Sequence, residues 1–295
     1  MLHIKISLLI LIGCLLAGSD PAYAGPVKQY YYRQLVYNHV SPFYPIRGIY
    51  EISSETAKSA PHYIFRLDDQ GRVQEIINNN TENEKWRNHP LTHLQVYRTV
   101  VEYTKDQEIR TYFDVKGNPV VNIRNAFKEL YTYDATGLKR SLEFFDSNGQ
   151  PVNNIWGIAR YDWTRANDMI VEKRYNLDGK SMPISPYFPF FITGIQMDGN
   201  GYSAAHYNLN EELKISNNKD GVSVYHDKYD VNGNHVEYAY FNENAQPVLT
   251  ASKFAKCQKS YDDWGNVIKM TFFDLNDHIV REQLFHYDEH GKLIQ

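Results

Sequence analysis

Apolar and polar residues alternate along most of the chain, and short polar runs containing glycine interrupt the alternation. In residues 266–273, for example, Ile268, Met270 and Phe272 fall on one face and Lys269 on the other. A period of two is the signature of a β-strand, whose successive side chains point to opposite faces. The pattern therefore predicts a succession of strands separated by turns, most regularly from about residue 100 onward.

The interrupting runs follow two motifs that alternate along the chain. The first is an aromatic residue, then Asp or Asn, with Gly three residues later in the best copies, and its acidic or amide positions are Asp114, Asp146, Asn176, Asn208, Asn242 and Asp274. The second is Tyr-Asp-x-x-Gly or a variant of it, at Asp134, Asp162 (degenerate), Asp198, Asp230, Asp262 and Asp288. Successive first-motif positions lie 30 to 34 residues apart. The chain is thus a repeat of about 32 residues made of two similar halves.

Both motifs have the chemistry of a tight turn. Asp or Asn at the first position accepts hydrogen bonds from the backbone just ahead, and Gly three residues later takes the left-handed conformation that reverses the chain. The predicted turn residues are Asp114, Gly117, Asp134, Gly137, Asp146, Gly149, Asp230, Gly233, Asp262, Gly265, Asp288 and Gly291. The sequence therefore predicts an all-β fold, an antiparallel meander of 32-residue double-hairpin repeats with a less regular N-terminal part.

These alternating motifs resemble the tyrosine–aspartate repeats of bacterial RHS/YD-type β-repeat proteins. The resemblance covers roughly residues 100 to 295. It implies a β-repeat architecture, which in large members of the family forms a shell around a toxin domain. This chain is too short for such a shell and its repeats run to the last residues, so we expect no toxin domain.

The division of the chain follows the regularity of the repeats. We expect a signal peptide over 1–24, an irregular segment with a diverged repeat over 25–100, and the β-repeat domain over 101–295. Residues 82–88 are predicted to form a short helix ended by Pro90. Residues 181–191 carry three prolines and four aromatics, which excludes a central strand.

Exposed aromatic side chains are the candidate partner-binding residues. Insertions on one face of a repeat protein are the usual binding loops, so the 181–191 loop is the first candidate surface, with a Tyr-rich stretch near the mature N-terminus as the second. The candidates are Tyr187, Phe188, Phe190, Phe191, Tyr30 and Tyr31. The alternative is that the loop covers an edge or end of the sheet and that the tyrosines form cross-strand pairs.

Composition limits the class of protein. Of 295 residues, 42% are hydrophobic and 22% charged, with a net charge of -4, which is typical of a folded globular chain rather than a disordered one. The 31 Lys and Arg residues do not exceed the 35 Asp and Glu residues, so nucleic acid is not the expected partner.

The first 24 residues have the order of a secretory leader: one early lysine, an apolar run, and Ala22-Tyr23-Ala24 before Gly25. A lipid anchor on Cys14, within Leu-Ile-Gly-Cys, is the alternative processing. Both predict an exported protein of the periplasm or the cell exterior, with no transmembrane helix because the apolar run is too short. After cleavage at Ala24 only Cys257 remains, so no intramolecular disulfide is expected.

Motifs of catalysis and metal binding are incomplete. Ser203 lies in Gly-Tyr-Ser-Ala-Ala, which resembles a nucleophile elbow but falls where a strand is predicted. The run from Asp230 to Asn234 imitates a calcium loop without its Gly or Glu, and His89 and His93 flank Pro90 rather than a helical zinc motif. We therefore predict no cofactor, no metal and no catalytic residue.

Two functions remain open from the sequence. The first is an exported binding or scaffold protein that recognises a protein partner in the cell envelope, such as a toxin that it neutralises. The alternative is a hydrolase of envelope glycans or lipids that uses two carboxylates in a groove, with Glu172 and Asp178 as an example of a pair that the sequence alone cannot position.

Overall fold

The computed structural model describes residues 28–36, 40–79, 95–185, 188–288 and 293–294. It confirms the all-β fold: 17 antiparallel strands form one sheet, and among the described residues the helical content is a single 3-10 turn, Thr56–Lys58. The strands are β1 (Lys28–Leu35), β2 (Gly48–Ile52), β3 (Tyr63–Leu67), β4 (Val73–Asn78), β5 (Arg98–Tyr103), β6 (Gln107–Phe113), β7 (Lys128–Tyr133), β8 (Lys139–Phe145), β9 (Arg160–Ala166), β10 (Met169–Tyr175), β11 (Ile192–Met197), β12 (Ser203–Leu209), β13 (Val224–Tyr229), β14 (His235–Phe241), β15 (Lys256–Tyr261), β16 (Val267–Phe273) and β17 (Ile279–Leu284).

Strand pairing follows the order of the sequence almost throughout. β1 pairs with both β2 and β3, and from β3 to β17 every strand pairs antiparallel with the next one. The strands of the irregular N-terminal segment therefore belong to the same sheet as the repeats, and the expected division near residue 100 falls inside β5. Within the described ranges, no helix has the length and apolarity needed to cross a bilayer.

The turn that joins β7 to β8 shows how the second motif works. The Asp134 carboxylate accepts the backbone N–H groups of Thr136 and Leu138 at 2.8 and 3.1 Å. Gly137 has a φ of +81° and donates its N–H to the Asp134 carbonyl. Turns of the same kind begin at Asp68, Asp114, Asp146, Asn176, Asp198, Asp230, Asn242, Asp262 and Asp274. Gly291 lies outside the described residues, as do the leader, Cys14 and the segment predicted to be helical.

Two of the motif positions are not turns in the structure. Asn208 lies inside β12, and the chain turns two residues later, from Asn210 to Leu213, which takes a φ of +59° without being glycine. Asp162 lies inside β9, and there the chain turns at Asn167 and Asp168, both with positive φ. The aromatic-Asx signal was thus correct about the repeat but wrong in position at Asn208 and Asp162, whereas Asn242 and Asp274 begin turns without a glycine.

A second set of turns was not predicted from the sequence motifs. The connection from β8 to β9 contains two turns in succession, one at Asp146 and one from Asn154 to Gly157. Equivalent second turns run from Asn122 to Asn125, from Asn218 to Gly221 and from Thr250 to Lys253. These repeats therefore combine a tight hairpin at one end of the sheet with a wider, double-turn connection at the other.

Residues 40–47, the interior segment, pass through the inside of the curved sheet. Phe43 packs edge-on against Trp163 of β9, with ring centroids 5.6 Å apart, and its carbonyl accepts the Lys139 ammonium of β8 at 2.9 Å. Tyr44 lies with its hydroxyl 3.4 Å from Nε2 of His206 on β12. A segment that contacts strands this far apart in the meander is possible only because the sheet curves around it.

The hairpin formed by β1 and β2 runs along a row of second-motif turns. Arg47 donates a hydrogen bond to the Asn200 carbonyl at 2.9 Å, and Asn234 donates to the Tyr50 hydroxyl at 2.7 Å. The Tyr50 ring also lies against Gly265. The hairpin therefore contacts the turns of three successive repeats, and we infer that these contacts help to hold the curvature of the sheet.

Candidate functional site

The aromatic residues of the 181–191 loop divide between the core and the surface. Phe190 is fully buried, and Phe188 is half-buried with its ring edge-on to Tyr225 at 5.1 Å. Phe191 is 48% exposed, and Tyr187 lies outside the described residues. Much of the loop's aromatic surface therefore packs onto the sheet rather than facing a partner.

The two N-terminal candidates lie on β1 and make ring contacts within the protein. Tyr30 stacks with Tyr32 at 6.4 Å between centroids, and Tyr31 meets His62 edge-on at 5.5 Å. Both tyrosines remain half-exposed. Tyr30 and Tyr31 thus point to opposite faces of β1, and these contacts favour a structural role for both rings.

A buried polar cluster on β12, β13 and β14 contains the serine of the incomplete nucleophile motif. Ser203 donates to the Asp227 carboxylate at 3.1 Å. The same carboxylate lies 2.6 Å from Nε2 of His235 and 3.3 Å from Nδ1 of His206. In a catalytic triad the serine bonds the imidazole that deprotonates it. Here it bonds the carboxylate instead, on a strand rather than a strand-to-helix turn.

The electrostatics of this cluster follow from its burial. Burial would raise the pKa of Asp227, but the close approach of both histidines outweighs it and lowers the pKa. Burial and the nearby Lys259 lower the pKa of His235, burial lowers the pKa of Lys259 to about 8, and burial raises the pKa of the Cys257 thiol. Perturbed groups of this kind occur in active sites and in structural networks alike.

Solvent access distinguishes an active site from a structural network. Ser203, His206, Asp227 and His235 are each at least nine-tenths buried, and Tyr44 of the interior segment lies over His206. We therefore interpret the cluster as an internal network that fastens the interior segment to the sheet. Buried polar groups that are paired in this way make one arrangement of the core more favourable than its alternatives.

Among the described residues, no group of three or more His, Cys, Asp and Glu side chains has an arrangement that could hold a metal ion. The Asp230 carboxylate accepts the N–H groups of Asn232 and Asn234, both at 2.9 Å. Its oxygens thus serve the turn, as predicted from its spacing. His89 and His93 lie outside the described residues.

A second buried charge network predicts how the fold responds to acid. Burial would raise the pKa of Glu108, but the charges of Arg110 and Lys139 and a hydrogen bond from Tyr133 outweigh it and lower the pKa to about 2. Folding therefore favours the ionised carboxylate. This contribution is complete above the ordinary pKa of 4.5 and is lost as the pH falls towards 2.

We expect the free energy of unfolding, measured by urea titration, to fall between pH 4.5 and pH 2 and to fall less steeply in the Glu108→Gln variant. The exposed Glu102, on the neighbouring β5, provides the control. Glu102→Gln should leave the pH dependence as it is in the unmodified protein. An identical acid slope in Glu108→Gln would show that Glu108 does not stabilise the fold through its charge.

The last strand of the meander is the strongest candidate for a binding surface. All six residues of β17 are exposed, including Ile279 at 59%, Val280 at 50% and Leu284 at 61%. β17 pairs with β16 on one side. On its other side Leu293 and Ile294 pair with residues just past its end, at Tyr287 and His286. Along β17 itself, no strand among the described residues occupies the outer edge.

The register shows which backbone groups face outward. Phe285 donates its N–H to the Ile268 carbonyl of β16 at 3.0 Å, and the pairs Lys269–Leu284 and Met270–Gln283 continue that ladder. Because N–H groups alternate in direction along an antiparallel strand, those of Glu282 and Leu284 point away from β16. The outer edge is therefore a row of donors and acceptors open to another chain.

The spacing of the motifs indicates this open edge, although the predicted repeat did not include it. Asn242 and Asp262 are 20 residues apart, as are Asp114 and Asp134, whereas Asp274 and Asp288 are 14 residues apart. The shorter spacing removes the double-turn connection, so β17 follows β16 through a tight turn at Asp274. The last unit is thus built differently from the others.

Comparison with known proteins adds no further constraint, since no family model and no curated protein matches the chain.

Proposed function

We propose that this chain is an exported β-repeat protein that binds a protein partner by adding an extended strand of that partner to the outer edge of β17. The single observation that supports the proposal most is the open edge of β17, whose side chains are exposed on both faces and include three large apolar residues. The leader-like first 24 residues support export to the periplasm or the cell exterior.

Strand addition uses backbone hydrogen bonds for affinity and side chains for specificity. β17 has outward N–H groups at Glu282 and Leu284. The Glu282 carboxylate also forms an ion pair with Lys269 of the neighbouring β16 at 2.5 Å. Arg281 lies on the other face of the strand with its guanidinium 3.9 Å from the Phe272 ring centroid. These two contacts link side chains of β17 to β16.

The surface is amphipathic rather than wholly apolar. Arg281, Glu282 and Gln283 lie between the apolar residues Ile279, Val280 and Leu284 of β17, and charges on an edge strand limit indiscriminate pairing. A partner strand that places apolar side chains opposite Val280 and Leu284 would bury them on one face of the extended sheet. This chemistry favours a specific partner strand, such as one from a toxin or from an envelope assembly.

Leu284→Pro tests the proposal directly in the full-length protein. A labelled synthetic peptide of alternating threonine and valine serves as the probe, with fluorescence anisotropy as the measurement. Proline removes the outward N–H of Leu284 without removing a bond to β16. We expect binding to weaken about tenfold, the effect of losing one hydrogen bond and crowding its neighbour.

Two variants make that result interpretable. Leu284→Ala keeps the N–H and removes most of the side chain, so it should bind the peptide better than Leu284→Pro does. Gln283→Pro removes a donor that faces β16 and should lower the melting temperature more than Leu284→Pro. Equal binding by Leu284→Pro and the unmodified protein, or no binding by the unmodified protein, would overturn the proposal.

The hydrolase alternative has no specific observation in its favour. Glu172 is fully buried and bonded to Arg174, whereas Asp178 is exposed in a turn. Glu108, Glu129 and Asp227 are paired with cations or histidines and have lowered pKa values, the opposite of what a general acid requires. Binding is therefore the function that we carry forward.

A further inference from the structure

Six hairpins of the described sheet turn at an aspartate and share one strand register. In each of them, the residue before the aspartate lies opposite the residue six positions later. The pairs are Leu67 with Val73, Tyr133 with Lys139, Met197 with Ser203, Tyr229 with His235, Tyr261 with Val267 and Phe273 with Ile279. Tyr287 pairs with Leu293 at the same spacing, and Ile294 donates its N–H to the His286 carbonyl at 2.8 Å. The hairpin after β17 therefore begins in the register of the other six.

This register defines a path along the outer edge of β17. In the hairpin from β15 to β16, pairing continues along the whole of β15, as far as Lys256. The equivalent path on β17 runs from Phe285 back to Glu282, past the pairs that Leu293 and Ile294 make. β16 pairs antiparallel with both of its neighbours, and antiparallel pairing is slightly more stable per residue than parallel pairing. A strand added to β17 is therefore expected to run antiparallel to it, in line with Leu293 and Ile294.

The side chains along this path divide between the two faces of the sheet. Arg281 lies opposite Phe272 of β16, and Phe272 is buried. Because alternate residues of a strand share a face, Arg281 and Gln283 lie on the face that carries Phe272, whereas Glu282 and Leu284 lie on the other face. An added strand would meet Arg281 on the first face and Leu284 on the second.

The charges of the two faces differ in what they leave unpaired. The Glu282 carboxylate accepts a hydrogen bond from Thr271 at 3.3 Å in addition to its ion pair with Lys269. Arg281 is exposed and forms no ion pair with any described residue. Opposite charges that face each other across an antiparallel pair attract, so Arg281 favours an acidic neighbour. Leu284 is 61% exposed and favours an apolar one.

We propose that the partner strand runs antiparallel to β17 and carries a large apolar residue opposite Leu284 and an aspartate or glutamate opposite Arg281. In this direction the apolar residue comes first and the acidic residue follows three positions later. The inference rests on the proposed function and deepens it, because it names the chemistry and the direction of the partner segment. Side chains at alternate positions give this kind of binding its specificity.

A pair of peptides tests the acidic position in the full-length protein. Both are the labelled threonine–valine peptide with one valine replaced by leucine. The threonine three residues after the leucine is glutamate in one peptide and glutamine in the other. We expect the glutamate peptide to bind about twofold to fivefold more tightly at low salt, the effect of one opposite-charge pair across strands.

Arg281→Gln provides the matching change in the protein. This variant should bind the glutamate and glutamine peptides equally. Arg140→Gln, at an exposed position on β8, is the control for the same substitution and should keep the preference for glutamate. Melting temperatures check that both variants fold.

A disulfide crosslink tests the direction and the register. In an antiparallel complex, the peptide residue that follows the leucine lies opposite Gln283, in a pair without mutual hydrogen bonds whose Cα atoms are close enough for a disulfide. Gln283→Cys should therefore react several times faster with a glutamate peptide that carries an activated cysteine after the leucine than with one that carries it before the leucine. The unmodified protein, whose Cys257 is buried, is the control for reaction elsewhere.

The outcomes separate the two proposals. If the peptides bind but glutamate gives no advantage, or the cysteine before the leucine reacts faster, strand addition stands and the assigned chemistry or direction is wrong. If no peptide binds the unmodified protein, the proposed function fails and this inference fails with it.

Discussion

Glu172→Gln is expected to lower the free energy of unfolding by about 3–5 kcal/mol, the cost of leaving a buried charge without its partner. Glu172 and Arg174 are both fully buried on β10 and form an ion pair. The carboxylate also accepts the Trp163 Nε1–H at 2.8 Å and a hydrogen bond from Ser41 of the interior segment. Glutamine keeps the shape but leaves the Arg174 charge uncompensated.

The loss should reach beyond the ion pair. Because Ser41 bonds the same carboxylate, the variant also weakens the hold of the sheet on the interior segment. We expect chemical denaturation to report the lower stability, and limited proteolysis to show earlier cleavage near residues 40–47. A stable variant that is cleaved like the unmodified protein would contradict the central position that we give to Glu172.

Two further variants test whether the unpaired buried charge causes the loss of stability in Glu172→Gln. Glu55 pairs with Lys58 on the surface, where both side chains are more than two-thirds exposed, so Glu55→Gln should cost only about 0–1 kcal/mol. The double variant Glu172→Gln with Arg174→Met removes both charges. It should recover part of the loss, since an uncharged pair has no stranded ion.

The repeat and its turns could be predicted from the sequence because their signal is local. A side chain at Asp134 and a glycine at Gly137 contain the whole chemistry of the turn, and the period-two alternation gives the strands between turns. Where the local signal is weaker, the predicted position of the turn was wrong by a few residues. The chain turns at Asn210 rather than Asn208, and Leu213 takes the left-handed conformation that glycine takes in other turns.

The path of the interior segment could not be predicted in the same way. Phe43 and Tyr44 meet Trp163 and His206, partners that lie more than a hundred residues away. No local pattern specifies such contacts, since they depend on how far the whole sheet curves. For this reason the sequence predicts an irregular N-terminal segment, although the strands of that segment join the sheet.

The sequence contains a signal for the buried charge pairs that none of the predicted catalytic motifs included. Glu172 and Arg174 lie two residues apart on one strand, and so do Glu108 and Arg110. Residues i and i+2 of a strand share a face, so an acid and a base at this spacing can pair within the sheet interior. Such pairs are the expected form of charge on the inner face of a curved sheet.

Gly265→Ala is expected to destabilise the fold by about 2–5 kcal/mol, which combines a left-handed backbone with overpacking. Gly265 has a φ of +78°, and an added Cβ would lie 2.5 Å from the Tyr50 ring. That ring cannot easily withdraw, because its hydroxyl is held by Asn234 at 2.7 Å. The substitution should therefore displace the N-terminal hairpin from the row of turns.

Gly137 is the matched control. It occupies the same place in a Tyr-Asp-x-x-Gly turn with a φ of +81°, but nothing lies within 4 Å of an added Cβ. Gly137→Ala should cost only the backbone part, about 1–2 kcal/mol. Urea titration of both variants gives the difference, and hydrogen exchange should show faster exchange of β1 and β2 amides in Gly265→Ala alone. Equal destabilisation by the two substitutions would mean that the hairpin does not hold the turns, and the curvature of the sheet would then need another cause.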